Sequence, residues 1–354
     1  MVHPENEPTA IAVGLFIFGG GSLLLSPLFG TWIAFSIVTA GAIGIAVGAE
    51  MQRRPPRYGI DMEASMPNQS GITDRRGSGV AQSHCRLGWL KSLALYSDLL
   101  ILGSAAEVDV TDACISIRTP SLPQLRIGNA ILFPKPPSRE DVATWIRQLE
   151  LKVGESAARY GRIAWEGGQP REDVYRAFKS AGFEPYDSLS MQTAVVQARS
   201  SPTAVSTKAV RADAEWQDLL DFHVEANQVA TPSDHEFLAA RLDLYRAESE
   251  AGNGAWFTAY ADGRVVGCCG IALGDGLARL QGLETSSRHR RGGIGISLVK
   301  VASEWALQRD GTNHLVSVVD PDYHARRLFE SVGFQTHDLA CGVVPVDSFT
   351  PPAV

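Results

Sequence analysis

A basic, glycine-rich loop between a short strand and a helix is the feature that most constrains the fold of this chain. The loop occupies residues 283–295, and its glycines are Gly292, Gly293 and Gly295. Apolar residues at positions 294, 298, 301 and 305 then repeat at the spacing of one helical face. Glycine lets the backbone bend closely around a ligand, and the first N–H groups of a helix have no partner within it. The loop therefore predicts an anion site at the start of a helix.

The charge and spacing of the loop indicate which anion it binds. Arg288, Arg290 and Arg291 add positive charge beside a helix N-terminus, which itself favours anions. The glycines have the spacing of neither a Walker loop nor a dinucleotide-binding fingerprint. These features predict a site for a pyrophosphate group that is held without a metal ion.

Residues 290–295 read Arg-Arg-Gly-Gly-Ile-Gly, which resembles the acyl-CoA loop of the GNAT superfamily of N-acyltransferases (Arg/Gln-x-x-Gly-x-Gly/Ala). Residues 320–334, which follow a predicted strand at 315–319 and end in Gly333-Phe334, resemble the later helix motif of the same superfamily. The resemblance implies a GNAT fold of the α/β or α+β class, with a mixed, mostly antiparallel central sheet flanked by helices. It also implies acetyl-CoA as the co-substrate.

The resemblance assigns roles to residues at the strand end and in the loop. Those expected to contact the cofactor are Leu283, Glu284, Thr285, Arg290, Arg291, Gly292, Gly293, Ile294, Gly295 and Asp320. Glu284 can deprotonate the acceptor amine, directly or through water; a surface carboxylate that only attracts a cationic substrate is the alternative. His289 is expected to pack within the loop or to lie on the surface, and not to act as a base. Asp320 either lies near the cofactor or caps the following helix.

The general acid of the reaction is the point at which the sequence departs from the family. Many members carry a tyrosine on the later helix, and the matching residue here is Phe329, which has no proton to give. Tyr323, six positions earlier, is therefore predicted as the catalytic acid; otherwise it packs, and solvent protonates the thiolate. His223, Glu225 and His235 are either residues of the acceptor pocket or surface residues.

The sequence also contains a repeat. Arg176, Phe178, Ser180, Gly182 and Phe183 match Arg327, Phe329, Ser331, Gly333 and Phe334 at one constant offset. This predicts two GNAT-like units in tandem. At the same offset, the loop glycines are replaced in the upstream unit by residues such as Val142 and Thr144, so that unit is predicted to bind no cofactor.

The N-terminal segment is unusual because residues 10–49 contain no charged side chain. One bilayer crossing needs roughly 20 apolar residues, so this run is long enough for two. Residues 26–30 (Ser-Pro-Leu-Phe-Gly) supply a turn, and arginines follow at 53, 54 and 57. We predict a transmembrane helical hairpin, with helices at about 9–25 and 31–49 and the remaining chain in the cytoplasm. A buried core hairpin is the alternative, and it would make the protein cytoplasmic.

Composition excludes other classes of protein. The formal net charge of −7 argues against bulk attraction to nucleic acid. The five cysteines form no Cys-x-x-Cys pair and do not cluster with histidines along the chain, so neither a disulfide framework nor a metal site is expected.

These observations predict four segments: the hairpin (1–50), a flexible linker (51–86), a degenerate GNAT-like domain (87–200) and a catalytic domain (205–349). The predicted activity is transfer of an acetyl or longer acyl group from acetyl-CoA to a primary amine of a small molecule or protein. A non-catalytic, membrane-tethered acyl-CoA sensor is the alternative.

Overall fold

The computed structural model describes residues 17–18, 22–23, 87–197 and 205–346. Contacts divide the chain into one unit at residues 1–75 and another at 76–354. In the first unit, Ile17–Phe18 (β1) pairs antiparallel with Ser22–Leu23 (β2). The helix predicted for 9–25 is wrong at these four residues, because they pair as strands. The rest of the predicted hairpin and the predicted linker at 51–86 lie outside the described residues.

Among the helices of the described residues, none combines the length and the apolar composition that a membrane span needs.

The second unit is built on a single mixed sheet of eleven strands. The strands are β3 Glu107–Val110, β4 Ile115–Arg118, β5 Ala130–Phe133, β6 Arg162–Trp165, β7 Phe183–Thr193, β8 Ser206–Ala209, β9 Gly254–Ala261, β10 Arg264–Gly274, β11 Leu277–Thr285, β12 His314–Val319 and β13 Gln335–Pro345. Their order in the sheet is β3-β4-β5-β6-β13-β7-β12-β11-β10-β9-β8. Two neighbouring pairs, β5–β6 and β11–β12, are parallel, and the others are antiparallel.

The upstream half of the chain (87–197) and the downstream half (205–346) exchange their last strands: β7 lies between β13 and β12, and β13 lies between β6 and β7. Strand β13, from the downstream half, pairs with β6 through Cys341 and Trp165. Strand β7, from the upstream half, pairs with β12 through Val319 and Leu189. The two strands also pair with each other along most of their length. The segments predicted as separate domains at 87–200 and 205–349 therefore share one sheet, and neither half has a continuous sheet of its own.

Helices cover both faces of the sheet. They are α1 Leu93–Leu102, α2 Asp141–Val153, α3 Glu155–Ala158, α4 Glu172–Ser180, α5 Asp213–Ala226, α6 Pro232–Glu250, α7 Ile294–Leu307 and α8 Ala325–Ser331. One apolar core contains Leu99 of α1, Trp216 of α5 and Leu242 of α6, together with Cys268 of β10. A second core contains Leu298 of α7, Phe329 of α8 and the adjacent Cys269. Because successive side chains of a strand point to opposite faces, α5 and α6 lie on the face opposite to α7.

The repeated sequence element has the same local structure in both halves. Phe178 and Phe329 are both buried on the last helix before the exchanged strand. Gly182 and Gly333, which follow, have φ values of +82° and +97°, where a residue with a Cβ atom is strained. Each glycine thus ends a helix and turns the chain into β7 or β13.

Candidate active site

Strands β11 and β12 are parallel, and they separate toward their carboxyl ends. Their pairing covers only Leu277–Arg279 of β11 and His314–Val316 of β12. Strand β11 continues to Thr285 beyond that point, and β12 continues to Val319. The backbone groups of residues 281–284 that face β12 therefore have no strand partner on that side, whereas the carbonyls of Leu280 and Thr285 accept hydrogen bonds from the side chains of Arg279 and Arg290. Such an open strand edge can hydrogen-bond the amides of an extended ligand.

A β-bulge bends β11 at the opening between these strands. Cys268 pairs with Glu284 and Gly270 with Gln281, so β11 has one residue more than β10 over this stretch. Gly282, within the bulge, has a φ of +59°. Bulges redirect side chains at strand ends. Here the bulge is followed directly by Leu283, Glu284 and Thr285, the predicted cofactor strand.

The predicted anion loop joins β11 to α7. A short 3-10 turn at Ser287–His289 follows the strand, and the chain then enters the left-handed region at Arg291 (φ +67°) and Gly293 (φ +80°). Gly293 is the residue before α7 and has no side chain to cap the helix, so the N–H groups of the first turn face outward. A Cβ atom on Gly295 would lie 3.0 Å from the side chain of Leu328, which explains the glycine there. Left-handed non-glycine residues such as Arg291 are typical of ligand-binding loops.

Contacts within the loop hold its shape and leave its charge available. Ser286 Oγ lies 2.7 Å from His289 Nδ1, and the Arg290 Nε–H donates to the carbonyl of Thr285 at 3.3 Å. The side chains of Arg288, Arg290 and Arg291 are exposed, and no described carboxylate forms an ion pair with them. His289 thus packs within the loop, one of the two placements expected from the sequence. The loop thus carries three exposed cations beside the first N–H groups of α7.

Glu284 contacts a buried histidine on the opposite side of this opening. His223 Nδ1 lies 3.1 Å from Glu284 Oε2, and its other ring nitrogen lies 3.8 Å from Cys268 Sγ. His223 is fully buried, whereas 17% of the Glu284 side chain is exposed. The Cys268 thiol also donates to the carbonyl of Gly282 at 3.4 Å. The sequence reading that no cysteine clusters with a histidine is wrong here, because the fold joins residues 45 positions apart.

Burial determines the protonation states of His223 and Cys268. Burial lowers the pKa of His223; the hydrogen bond to Glu284 opposes that effect, and the charge of Arg241 adds to it. Burial also raises the pKa of the Cys268 thiol well above its ordinary value, with a further contribution from the charge of Glu284. At neutral pH the imidazole is therefore uncharged and the thiol protonated. We assign the ring proton to Nδ1, which donates to the carboxylate, while Nε2 faces the thiol.

Within the described residues, His223, Cys268 and Glu284 also form a group that could hold a metal ion, because one possible ligand atom of each lies within 4.8 Å of the others. The ring of His223 lies between the other two side chains and contacts them through different nitrogens. Only one ring nitrogen can face a shared ion. His223 thus lies between the two side chains: its Nδ1 donates to Glu284, and its Nε2 shares the single thiol proton of Cys268 with the carbonyl of Gly282.

The remaining predicted residues lie in less organised surroundings. Tyr323 is 44% exposed and lies in a turn before α8, with its ring 4.0 Å from that of His324. Asp320 accepts a hydrogen bond from the Asp322 N–H at 2.8 Å, so it stabilises this turn and does not cap α8. Phe329 is buried against Phe334 in the core. The fold does not bring Tyr323 into contact with Glu284.

Of the three polar residues considered for the acceptor pocket, only His223 lies beside the candidate base. Glu225 and His235 are exposed, as expected for surface residues of α5 and α6. The positions of these three residues on the predicted helices do not show which of them faces the site and which lies on the surface.

In the upstream half, the position that matches the anion loop has a different structure. The chain enters α2 directly, the Ser138 N–H donates to the Asp141 carboxylate at 2.7 Å, and Val142 is buried. Glu140 precedes the first residue of the helix. A carboxylate thus lies at the start of this helix, where the downstream loop has glycines and arginines. An open groove of about 600 Å³ nearby, lined by residues such as Arg139 and Ala181, belongs to this upstream half.

Comparisons with known proteins agree with this geometry. Residues 216–334 match the model of the acetyltransferase (GNAT) family. No curated protein matches the chain. A functionally unknown conserved protein from Staphylococcus epidermidis has a similar structure, with 12% identity, a TM-score of 0.54 and coverage of 68% of this chain and 93% of that one.

A GCN5-related N-acetyltransferase from Kribbella flavida aligns with 16% identity, a TM-score of 0.49 and coverage of 72% of this chain and 96% of that one. The family match covers the loop, Glu284, His223 and the later helix motif. Residues 216–334 therefore match a GNAT acetyltransferase domain, within a GNAT-like α/β fold in which helices flank a mixed sheet.

Proposed function

We propose that this protein is an N-acyltransferase that transfers an acetyl group from acetyl-CoA to a primary amine by direct attack. The observation that carries the proposal is the position of Glu284. Its carboxylate contacts His223 at 3.1 Å, and it follows the bulge at the open edge of β11. The anion loop begins directly after this strand. A base and an anion site thus lie at the two ends of one short segment.

The loop and the strand edge would hold the cofactor. The N–H groups at the start of α7, with Arg288, Arg290 and Arg291, are suited to the pyrophosphate of CoA. The backbone groups of Leu283 and Glu284 that face β12 are suited to the amides of the pantetheine arm. This arrangement would bring the thioester next to Glu284, on the face of the sheet that α5 and α6 cover.

In the proposed reaction, Glu284 takes a proton from the acceptor ammonium, directly or through one water molecule. The free amine attacks the thioester carbonyl carbon, a C–N bond forms, the nitrogen loses its second proton to solvent, and the C–S bond breaks. The departing thiolate takes a proton from Tyr323 or from solvent. A thiol has a pKa near 8.5, so it leaves without a strong acid.

The upstream half, the acceptor and the cellular location complete the proposal. We propose that residues 87–200 form a degenerate GNAT-like unit that shares the sheet and binds no cofactor. The acceptor is a small-molecule or protein amine and not a nucleic acid. A membrane anchor at residues 10–49, with the catalytic half in the cytoplasm, rests on the sequence alone.

A second candidate function is a non-catalytic sensor of acyl-CoA. Phe329 is buried where many family members have a tyrosine, and Tyr323 is exposed and makes no contact with Glu284. Both observations favour a protein that binds the cofactor without turnover. Turnover with any amine separates the two functions.

The test is release of free CoA thiol by the full chain, supplied with acetyl-CoA and a panel of primary amines. We expect Glu284→Gln to lower kcat/KM for the amine about 100-fold or more, because a positioned base contributes that much. Acetyl-CoA affinity should not change. Glu304→Gln, at a surface glutamate of α7, is the matched control and should behave as wild type. Acetyl-CoA binding without turnover of any amine would support the sensor, and an unchanged Glu284→Gln enzyme would remove Glu284 from the mechanism.

A further inference from the structure

Arg241 of α6 is buried without an anionic partner. The residue is 5% exposed, and its Nε atom has no hydrogen-bond partner. Within the described residues, neither a hydrogen bond nor an ion pair reaches its guanidinium group. The guanidinium group lies over the ring of Phe237, whose centre is 5.6 Å away.

An unpaired buried guanidinium is unusual, because removing a charge from water is strongly unfavourable unless another charge compensates. The other buried arginines of this layer follow the expected pattern. Arg162 and Arg279 share the carboxylate of Asp98, at 2.7 Å and 3.4 Å. Arg241 has no such carboxylate. The missing partner is thus an anion that the described chain does not supply.

The position of Arg241 shows where that anion would lie. Phe237, Arg241 and Tyr245 are four residues apart and share one face of α6. Tyr245 stacks on Trp256 at 5.1 Å, and the edge of Trp256 faces His223 at 6.1 Å. The charge of Arg241 also acts on His223 and on Cys268, the two residues linked to Glu284. Arg241 therefore belongs to the neighbourhood of the candidate base.

We propose that Arg241 binds a carboxylate of the acceptor, so that the acceptor is a small amine that also carries a carboxylate, such as an amino acid. The inference rests on the proposed acyltransferase function. Glu284 receives the ammonium group, and Arg241 receives the carboxylate through its planar pair of donors. Phe237, Tyr245 and Trp256 belong to the buried apolar core around this position, so the charge pair would form away from bulk water.

The test compares amino acids with the amines that lack only the carboxylate: phenylalanine with 2-phenylethylamine, and leucine with 3-methylbutylamine. Binding to the full chain is measured by calorimetry in the presence of saturating CoA, and turnover is measured with acetyl-CoA. We expect at least one amino acid to bind about 30-fold or more tightly than its amine, because a desolvated charge pair is lost with the carboxylate. Arg241→Met should abolish that preference, and Arg241→Lys should retain part of it.

Folding and control variants keep the test decisive. Arg241→Met replaces an unpaired buried charge with an apolar side chain of similar length, so its Tm should equal or exceed that of wild type. Arg246→Met is the matched control on α6, because Arg246 is a partly exposed residue paired with Asp213 and Glu250. It should keep the wild-type preference.

The outcomes separate this inference from the function on which it rests. Turnover of amines with no preference for the carboxylate, or a preference that survives in Arg241→Met, would overturn the role of Arg241 and leave the acyltransferase function intact. Binding of an amino acid that depends on Arg241, without turnover of any amine, would support the anion site and overturn the acyltransferase.

Discussion

Glu284 and His223 are 61 residues apart in the sequence, and their side chains meet at 3.1 Å where β11 opens away from β12. The histidine is buried and uncharged, and the carboxylate is partly exposed at the end of the strand. An N–H donor from a rigid element fixes the orientation of a carboxylate and stabilises its ionised form. The pair thus joins α5 to β11, the strand that precedes the anion loop.

The first prediction concerns His223. His223→Phe keeps a ring of similar size and removes the donor that orients the Glu284 carboxylate, so the whole kcat/KM profile should move down about tenfold or more. His223→Asn, which retains an N–H donor, should restore most of the wild-type profile. The measurement is kcat/KM against pH for the three proteins. A profile that does not move in His223→Phe would leave the histidine a packing role only.

Tyr323 is the subject of the second prediction. If its phenol protonates the departing thiolate, Tyr323→Phe should lower kcat about tenfold or more while the KM for acetyl-CoA stays constant. Tyr260→Phe is the control, because Tyr260 is a phenol of β9 that bonds Asp218 away from the opening. Steady-state kinetics of both variants decide the point. An unchanged kcat for Tyr323→Phe would assign the proton to solvent.

The third prediction concerns the buried carboxylate of Asp98, which lies between Arg162 and Arg279. Asp98→Asn leaves two buried guanidinium groups without a counter-charge, so the free energy of unfolding should fall by about 3 kcal/mol or more. Asp109→Asn removes an exposed ion pair with Lys152 and should leave that free energy close to the wild-type value. Urea unfolding of the three proteins measures both effects. Equal stability of Asp98→Asn and wild type would contradict this account of the buried layer.

The fourth prediction is a pH dependence that arises from Asp338 of β13. Burial opposes ionisation of this carboxyl group, but hydrogen bonds from His337, Ser190 and the N–H of Leu93 hold its pKa below its usual value of 3.8. A lowered pKa in the folded state stabilises the protein above the usual value, and the effect is lost as the pH falls through the folded value. Asp338→Asn should therefore be less stable than wild type at pH 6, with a difference that shrinks below about pH 4. A difference that stays constant with pH, measured by urea unfolding, would rule out this origin.

The sequence predicted the anion loop, the repeated helix element and most downstream strands because their signals are local. Glycine spacing defines the loop, and apolar spacing defines α7. The Asp-Gly pairs at 262–263 and 275–276 are local signals of the same kind: each joins two strands of a hairpin, and all four residues have the positive φ that such a turn requires.

Long-range contacts account for the features that the sequence did not predict. The exchange of β7 and β13 depends on pairing between residues such as Asp187 and Cys341, which no local pattern encodes. His223 and Cys268 meet because α5 packs on β10, although neither residue is unusual within its own segment. Arg241 likewise reads as an ordinary charged residue of a helix. Only its burial without a partner identifies it.

Acetyl-CoA binding by the full chain, measured by calorimetry, tests the central claim most directly. The account predicts that wild type binds and that Arg290→Glu combined with Gly293→Trp weakens binding about 100-fold or more, through charge reversal and obstruction of the loop. Arg139→Glu, at the matching position of the upstream half, should bind as wild type. Absence of binding by folded wild-type protein, or equal affinity of the double variant, would contradict the assignment of the downstream loop as the cofactor site.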